Sequence, residues 1–522
     1  QALERFTELK DIISYKDRSK FSLYSRLDSY LKIHFPESFE EYKLAKKRLA
    51  FDEFLYLQSL FSHSKEIFNT EQKSDSMEID NSLLKGFETK IPFSLTDSQK
   101  SCIKEIFEDL NSNSPMKRLL QGDVGSGKTI VAAAGVYAAI ENGKQVALMA
   151  PTEVLAEQHL NSFEKYLNFF DIDMHILTSS VKDRKIVMKV IESGEPALII
   201  GTHALIQESV KFNNLGLAII DEQQRFGVEQ RKKLMISEGK TPHQLVMTAT
   251  PIPRTTALAI YGDLELSIID EMPPGRKKIN SKVLSGGKRA SNEVFTIARD
   301  HLEKNSQIFV VCPYIEESKN SDIKAAEKVY ELYKSVFSKY NVELLHGKMK
   351  SDEKENKMLK MKNGEIDIMV STVVIEVGID ITNATLMIIE SAERFGLNQL
   401  HQLRGRVGRG DKQSECIFHI TEGKSFSKIT KDGQERLNAI EQNDDGFKLS
   451  ELDLQIRGEG KVTGTSQSGL SDLKIANLRT DYEILETSKM YFSKIEDAKI
   501  KSDLYTEANL LFPNFGKTKD ST

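Results

Sequence analysis

The chain has 522 residues, and at about 150 residues per domain it has room for three or four domains. Hydrophobic residues make up 39% of it and charged residues 29%, an ordinary globular composition that excludes collagen-like and largely disordered chains. The 72 basic and 77 acidic residues leave a net charge of −5. That balance excludes an overall electrostatic attraction to nucleic acid, so any such binding has to come from local basic surfaces.

The cysteines and the apolar runs exclude further classes of protein. Cys102, Cys312 and Cys416 lie far apart and form no CxxC pair, which argues against a disulfide framework and a structural zinc site. No apolar run reaches the roughly 18 residues that a membrane span requires. Residues 1–5 contain neither an initiator Met nor the start of a signal peptide. We therefore expect a cytoplasmic protein without membrane partners, whose N-terminus is the remainder of a longer chain.

The N-terminal region has the pattern of helices. Tyr42, Ala45 and Leu49 recur at spacings of three and four residues, which places them on one apolar helix face. We predict short helices over residues 1–60. Residues 62–85 are rich in Ser, Lys, Glu and Asp, a composition typical of a linker.

After Pro92 short apolar runs alternate with helical periodicity. The first runs fit buried strands, with helices predicted between them at 129–141 and 154–166; they lie at 145–150, 197–200, 217–220 and 245–247. A hinge containing Pro and Gly follows at 271–276. The alternation then resumes, with apolar runs at 308–311, 342–345, 366–370, 386–389 and 417–419.

This alternation predicts the fold class. Strands that alternate with helices form βαβ units and parallel sheets, so we predict an α/β protein with two parallel-sheet domains in tandem. A helical segment precedes them and a mostly helical region follows. The predicted divisions are 1–90, 91–276, 277–430 and 431–522.

A glycine-rich segment opens the predicted helix at 129–141. Gly122, Gly125 and Gly127 precede Lys128 and Thr129. Glycines let backbone N–H groups turn toward phosphate oxygens at a helix N-terminus, whose dipole favours anions. In this spacing Lys128 would reach the β- and γ-phosphates of ATP, and the Thr129 hydroxyl would bind Mg²⁺. The alternative is a plain glycine-rich turn before a helix.

Two carboxylates follow the apolar run at 217–220. Asp221 and Glu222 come 93 and 94 positions after Lys128, within the same predicted domain. Asp221 would hold Mg²⁺, and Glu222 would orient or deprotonate the attacking water. The alternative is a solvated strand end.

Two arginines in the second predicted domain could complete such a site. Arg406 and Arg409 are three residues apart, so one helical face could present both to a nucleotide. An arginine that reaches the γ-phosphate stabilises the charge of the transition state. The alternative is a basic patch that contacts DNA phosphates or solvent, and the segment alone does not separate the two.

These segments belong to a longer series that resembles the superfamily 2 helicases and translocases. The series runs through residues 150–159, 201–205, 221–227, 248–255, 345–350, 371–380 and 402–410. Within that superfamily the chain resembles the RecG family of ATP-dependent DNA helicases, through residues 221–227, 272–276, 394–403 and 445–469. The last segment resembles the translocation motif of that family, a helical hairpin. The resemblance implies two RecA-like domains in tandem, the cofactors ATP and Mg²⁺, and a motor that remodels stalled forks and Holliday junctions in recombination and repair.

The resemblance also assigns roles to individual residues. It gives nucleotide-binding or catalytic roles to Lys128, Thr129, Asp221, Glu222, Gly378, Asp380, Arg406 and Arg409. It places Pro151, Thr152, Thr202 and Thr372 at the DNA backbone. Thr248 and Thr250 match the segment that couples hydrolysis to domain movement, and Arg457 follows the predicted helix 451–456 of the translocation motif. Gln99 would read the adenine edge, although a Gln before a helix is otherwise unremarkable.

Two features depart from the family pattern. Gln224 stands where these relatives usually have His, and Gln cannot take up a proton charge. We therefore expect the coupling between ATP and DNA sites to differ, while the chemistry is retained. The wedge domain of the family is expected upstream of Gln1, with residues 1–90 as the helical segment that follows it.

The resemblance further implies partners and leaves two other functions open. Branched and duplex DNA are the expected partners, with single-stranded DNA-binding protein as a further one, for a monomer at the nucleoid. A transcription-repair coupling translocase would share the motor, but residues 1–90 show no strand-rich polymerase-binding module. A degenerate ATPase that acts as a DNA-binding scaffold is a different class, and the intact Lys128, Asp221 and Glu222 argue against it.

Overall fold

A computed structural model of the chain describes residues 11–71, 73–181, 183–222, 240–250, 264–273, 277–313, 321–372, 381–410, 412–420, 425–456, 473–477 and 480–513. Gln224, Gly378, Asp380 and Arg457, to which the family resemblance assigns roles, lie outside these ranges. Over the described residues, no helix is both long enough and apolar enough to cross a membrane.

Helices and strands alternate along most of the described chain. In order they are α1 (Tyr15–Phe21), α2 (Arg26–His34), α3 (Phe39–Glu71), α4 (Asn81–Lys90), α5 (Asp97–Leu110), β1 (Lys117–Gly122), α6 (Lys128–Glu141), β2 (Gln145–Met149), α7 (Glu153–Leu167), β3 (Met174–Leu177), α8 (Arg184–Ser193), β4 (Leu198–Gly201), β5 (Leu215–Asp221), β6 (His243–Thr248), β7 (Glu265–Ile269), β8 (Asn280–Leu284), α9 (Lys288–Glu303), β9 (Gln307–Val311), α10 (Ser321–Val336), β10 (Val342–Leu345), α11 (Ser351–Lys362), β11 (Ile368–Ser371), β12 (Ala384–Glu390), α12 (Leu397–Arg404), β13 (Glu415–His419), α13 (Lys431–Gln442), α14 (Gly446–Ile456), α15 (Tyr482–Ser493) and α16 (Ala498–Leu511).

The described residues fall into two compact units. One combines those within Gln1–Gln72, Pro253–Glu265 and Gly458–Thr522, and the other those within Lys73–Ile252 and Leu266–Arg457. The first unit thus joins the two ends of the chain. The division at residues 90, 276 and 430 was drawn from sequence pattern, and it stays a prediction.

The first unit is built around α3. This helix packs against α2 and against α15 and α16 from the far end of the sequence. Phe51 and Phe54 of α3 are buried in the same cluster as Tyr491 and Leu504. This packing joins residues that are more than 400 positions apart, so no local sequence pattern could predict it.

A buried guanidinium holds this unit together. The side chain of Arg48 is 1% exposed, and it donates to Asp11 over 2.6 Å and to Asp52 over 2.9 Å. Burial raises the pKa of Asp52 to about 6 in spite of Arg48. At Asp11 burial acts in the same sense, but the hydrogen bonds and charge of Arg48 outweigh it and lower the pKa. Arg48 therefore mainly neutralises Asp11, which fixes the chain before α1 to α3.

The linker predicted at 62–85 is wrong in most of its length. α3 continues to Glu71, and α4 begins at Asn81, so only the stretch between them is extended. Residues 64–67 are exposed, which explains their polar character without a break in the helix. The solvent-exposed end of a long helix and a linker have the same polar composition, so composition alone did not distinguish them.

The second unit contains two sheets. The seven-stranded sheet has the order β3-β4-β2-β5-β6-β1-β7, and the six-stranded sheet has the order β10-β11-β9-β12-β13-β8. The ladders from β3 through β1 and all ladders of the second sheet are parallel. The predicted α/β class with two parallel sheets in tandem is confirmed. We call described residues of 73–273 the first lobe and those of 277–456 the second lobe.

Helices cover both faces of each sheet. In the first lobe, α6 is almost entirely buried, and its run of small residues, Ala132, Ala133 and Ala134, lets it lie close to the sheet. In the second lobe α9 and α10 cover one face, and α11 to α13 contribute to the core on the other. The central strands are therefore buried on both sides, which is why they read as continuous apolar runs.

The predicted apolar runs missed four strands: the interior strand β1, whose apolar part is only Leu119 and Leu120, and three strands at sheet edges. β3 and β7 are the edges of the first sheet, and β8 is an edge of the second. Their residues are partly exposed along most of their length. An edge strand that is not buried on both faces needs no apolar run, so the pattern used to find the others is absent there.

Replacing Arg48 with Ala should lower the free energy of unfolding of the first unit by about 3–5 kcal/mol, because Asp11 and Asp52 are left without their shared cation. Denaturant unfolding followed by circular dichroism measures this change. Lys43→Ala is the matched control, because Lys43 and Glu40 are exposed and 3.9 Å apart. Equal effects of the two substitutions would show that the buried network does not stabilise the unit.

Candidate functional site

The glycine-rich loop lies between β1 and α6, at the carboxyl end of β1. Gly125 and Gly127 have φ angles of 79° and 91°, a left-handed conformation that side chains disfavour. A Cβ at Gly127 would collide with Nε2 of Gln99, and one at Gly122 with Oγ of Ser126. These glycines therefore leave room that side chains would fill, as a loop wrapped around phosphate oxygens requires.

The ammonium of Lys128 is turned back onto this loop. Its Nζ donates to the carbonyl oxygens of Gly122 and Asp123, over 2.8 and 2.9 Å. Burial lowers the pKa of Lys128, the negative charges of Asp123, Asp221 and Glu222 oppose this, and the positive charge of Arg409 lowers it further. Lys128 is thus enclosed among carboxylates of the first lobe and an arginine of the second.

Gln99 holds the loop from outside. It completes a capping box with Thr96 at the start of α5, and its Nε2 donates to the carbonyl oxygen of Ser126 over 2.8 Å. The side chain is 3% exposed. Both ends of the amide thus bind protein groups, and the reading of adenine stays a prediction. The structure gives Gln99 a supporting contact to the loop that the sequence did not indicate.

Asp221 and Thr129 are the predicted Mg²⁺ ligands. Asp221 ends β5, where its Oδ2 lies 2.8 Å from Nε2 of His159 on α7, and Thr129 is in the first turn of α6. Among the described residues, no three His, Cys, Asp or Glu side chains gather to hold a metal. A sparse pair fits Mg²⁺, which uses one or two protein ligands and completes its shell with water and substrate phosphates.

Glu222 occupies a strained position between two strand ends. Its φ is 53°, a conformation that costs a non-glycine residue about 1–3 kcal/mol. Its N–H donates to the carbonyl of Met247, and its Oε1 accepts from the N–H of Ala249 over 3.1 Å. On the same segment the hydroxyls of Thr248 and Thr250 are 2.9 Å apart. The predicted base therefore accepts a hydrogen bond from the backbone of Ala249, which lies between the two predicted coupling residues.

The arginine segment does not continue the helix before it. α12 ends at Arg404, and Gly408, with a φ of 77°, lies in the irregular segment that follows. The prediction that one helical face presents Arg406 and Arg409 is wrong, because the intervening glycines end the helix. Arg409 donates from Nε to the carbonyl of Gly405 over 3.4 Å, and Arg406 is half-buried.

The four residues expected at the DNA backbone follow strands β2, β4 and β11. Thr152 caps α7 by accepting from the N–H of Leu155, after the half-buried Pro151. Thr202 and Thr372 are only 2% and 5% exposed, so their hydroxyls do not face solvent. Their contact with DNA stays a prediction. Backbone groups next to these residues would have to make it, because the hydroxyls are buried.

The sequence missed a contact between the lobes. Oδ1 of Asp123, in the glycine-rich loop, lies 2.7 Å from Nε2 of His401 on α12. Arg404, one turn further on, lies against the same imidazole. These residues line a cavity of about 370 Å³ together with Phe447 and residues near the 271–276 hinge. A charged residue inside a glycine-rich loop, and a His three residues before an Arg, were the signals available.

Three family models match the chain. DEAD/DEAH box helicase covers residues 96–258, helicase conserved C-terminal domain covers 291–411, and the C-terminal part of domain 3 of ATP-dependent DNA helicase RecG covers 443–519. The glycine-rich segment 122–129 lies within the first match, and the arginine segment 402–410 lies within the second.

Curated relatives cover most of the chain. It is 46% identical over 481 residues to the ATP-dependent DNA helicase RecG of Synechocystis sp., a match that spans 92% of this chain and 57% of the relative. It is 43% identical over 493 residues to that of Bacillus subtilis, spanning 94% of this chain and 71% of the relative. The chain thus spans little more than half the length of the first of these relatives.

A solved structure of RecG bound to a three-way DNA junction resembles the chain throughout. The TM-score is 0.71 and the sequence identity 39%, over 92% of this chain and 62% of that one. The matched 92% of this chain is a larger share than the two lobes occupy. The likeness therefore extends beyond the two sheet-containing lobes.

Replacing Lys128 with Ala should abolish measurable nucleotide binding and leave the fold unchanged, because the hydrogen bonds that Nζ makes are to two carbonyls of the loop. Calorimetric titration with ATP and thermal unfolding measure the two effects. Lys165→Ala, at an exposed position of α7, is the control. Undiminished ATP binding by Lys128→Ala would rule out the glycine-rich loop as the phosphate site.

Proposed function

The chain belongs to the RecG family of ATP-dependent DNA helicases, and from this premise we propose that it hydrolyses ATP to move along duplex DNA and remodel branched DNA. The observation that carries the proposal is the surrounding of Lys128. Its loop follows β1, and Asp221 and Glu222 follow β5 at the same edge of the sheet, where the loop also contacts His401 of the second lobe. A phosphate-binding cation, a metal ligand and a base thus lie at one sheet edge, and the charge of Arg409 from the second lobe acts on the pKa of the same lysine.

Each of these side chains has a task in phosphoryl transfer. Lys128 exchanges the carbonyls of Gly122 and Asp123 for phosphate oxygens, which neutralises charge where it develops. Thr129 and Asp221 would hold Mg²⁺, which would supply positive charge to the phosphate groups. Glu222 orients the attacking water and accepts its proton. Its hydrogen bond to Ala249 keeps the carboxylate aimed in one direction.

The two arginines bring the second lobe to the same nucleotide. Arg406 and Arg409 of the second lobe stabilise the charge that develops on the γ-phosphate. ATP therefore favours a closed arrangement of the lobes, and its hydrolysis removes the bridging phosphate. Thr248 and Thr250 flank Ala249, whose N–H donates to Glu222. They transmit that change to the segments expected at the DNA backbone. Gly378, Asp380 and Arg457 take their family roles here, while Gln224, in place of the usual His, is expected to change the coupling between the ATP and DNA sites.

The DNA substrate is proposed from family membership. A relative has been solved on a three-way DNA junction, and we extend branched DNA as a ligand to this chain. With a net charge of −5, its hold on DNA rests on local phosphate contacts and weakens steeply with salt. Single-stranded DNA-binding protein as a partner, a monomeric state and a place at the nucleoid belong to the same proposal.

Replacing Glu222 with Gln should slow ATP hydrolysis by about 10²-fold or more, since general-base catalysis contributes on that scale, while ATP affinity is retained. Single-turnover hydrolysis and equilibrium binding of ATP separate the two effects. A collapse of affinity with unchanged chemistry would make Glu222 a binding residue and not the base.

The decisive experiment for the motor is phosphate release with and without duplex DNA, in wild type and Arg409→Ala. We expect DNA-stimulated turnover in wild type and a loss of about 10³-fold in the variant, with little change in DNA affinity. Arg436→Ala is the matched control, because Arg436 lies on α13 and donates to two backbone carbonyls at 3.3 and 3.5 Å. Loss of DNA affinity alone would favour a DNA-contacting patch. DNA binding without any turnover would favour a scaffold.

A further inference from the structure

Asp123 connects the glycine-rich loop to two elements of the second lobe. One oxygen, Oδ1, accepts from Nε2 of His401 over 2.7 Å, and the other, Oδ2, accepts from the backbone N–H of Gly446 over 3.2 Å. Both side chains of the Asp–His pair are less than a tenth exposed. Burial alone would raise the pKa of Asp123, but the hydrogen bonds from His401 and the Val124 N–H and the charge of Lys128 hold it below its usual range. The carboxylate is therefore ionised, and both of its oxygens accept hydrogen bonds.

The arrangement of His401 follows from its second neighbour. Nδ1 of His401 lies 2.8 Å from an NH2 group of Arg404, and a guanidinium can only donate. Nδ1 therefore accepts, and the proton of the ring is on Nε2, facing Asp123. His401 thus transmits a hydrogen bond from Arg404 to Asp123 in a fixed direction. If Asp123 moves, the hydrogen bond from Nε2 of His401 is lost. The neutral ring has no second N–H that could replace it.

Arg404 extends the connection to the chain before α14. Its NH1 donates to the carbonyls of Ile440 and Asn443, over 2.8 and 2.9 Å. These carbonyls end α13 and lead into α14. The guanidinium is 3% exposed. The loop between the two helices is therefore fixed by a side chain whose own orientation depends on His401 and Asp123.

The first turn of α14 is capped from both lobes. Asp445 accepts from the N–H groups of Phe447 and Lys448, as an N-cap residue does. Gly446, the first residue of the helix, instead donates to Asp123 of the first lobe. A carboxylate at a helix N-terminus is favoured by the free N–H groups and by the helix dipole. Movement of Asp123 therefore removes one of two caps.

The same residue is a hydrogen-bond partner of Lys128. Nζ of Lys128 donates to the carbonyls of Gly122 and Asp123, so two of its three N–H groups are committed to this loop. When Lys128 turns to the phosphates, the peptide at Gly122 and Asp123 loses its cation. We propose that Asp123 is a positioning residue that transmits nucleotide occupancy from the glycine-rich loop, through His401 and Gly446, to the start of α14. This inference rests on the proposed ATP site and adds a route out of it.

The cavity beside this contact gives the first turn of α14 room to move. Its volume is about 370 Å³, and Asp123, His401, Arg404 and Phe447 all line it. Phe447 is half-buried at its edge. A side chain at position 447 will therefore change its surroundings when the cap at Gly446 is made or broken.

The chain has no tryptophan, so Phe447→Trp supplies a single fluorescent reporter at this turn. In that background we expect ATP or a non-hydrolysable analogue to change the emission of the indole. Adding Asp123→Asn should reduce the change about tenfold or more, the size of a typical coupling between sites, when the emission is compared at a nucleotide concentration that saturates each variant. An amide at 123 cannot accept from both His401 and Gly446.

Two further variants complete the test. His401→Leu breaks the same link outside the glycine-rich loop and should reduce the emission change equally, with no added loss in the double variant. Asp173→Asn is the matched control, because Asp173 and His175 form an exposed pair at 2.7 Å elsewhere in the first lobe. Full emission change in Asp123→Asn with normal nucleotide binding would overturn the inference and leave the ATP site intact. Absence of nucleotide binding in the Phe447→Trp reference would instead refute the proposed function.

Discussion

The ammonium of Lys128 is the group around which the rest of the site is arranged. A buried cation is costly unless it is paired, and here the pairing comes from two loop carbonyls and from carboxylates at the ends of β5 and in the loop itself. Parallel strands bring their carboxyl ends to one edge of a sheet, which is why Gly122, Asp221 and Thr248 meet there. When a phosphate takes over from these carbonyls, the loop loses its hydrogen bonds from Lys128, so binding and movement begin with the same side chain.

The consequences of that rearrangement spread through contacts that are already made. Glu222 is hydrogen-bonded to Ala249 beside the coupling threonines, and Asp123 is hydrogen-bonded to His401 and to the start of α14. The first route stays in the first lobe, while the second crosses to the other. The helical unit is held differently, by Arg48 and its two carboxylates, which have no part in either route. Stability and signalling thus rest on separate buried charges.

The sequence predicted what local pattern encodes and missed what distant packing creates. Most central strands and the residues of the glycine-rich loop could be found because burial on both faces and a tight turn each leave a local signature. The edge strand β3 left none, since half of it faces solvent. The pairing of Asp123 with His401 spans 278 positions, and only the folded chain brings them together. The helix drawn through Arg406 failed for a local reason, because the flanking glycines allow a turn that periodicity ignores.

Amide hydrogen exchange with and without a saturating non-hydrolysable ATP analogue tests most directly whether one nucleotide site is built by both lobes. The account predicts slower exchange at residues 122–129 of the first lobe and also at 405–409 of the second, since Lys128 and Arg409 would bind the same phosphates. Exchange at 446–448 should change as well, because the N–H of Gly446 depends on Asp123. Protection confined to 122–129, with 405–409 unchanged, would contradict the account and leave a nucleotide site made by the first lobe alone.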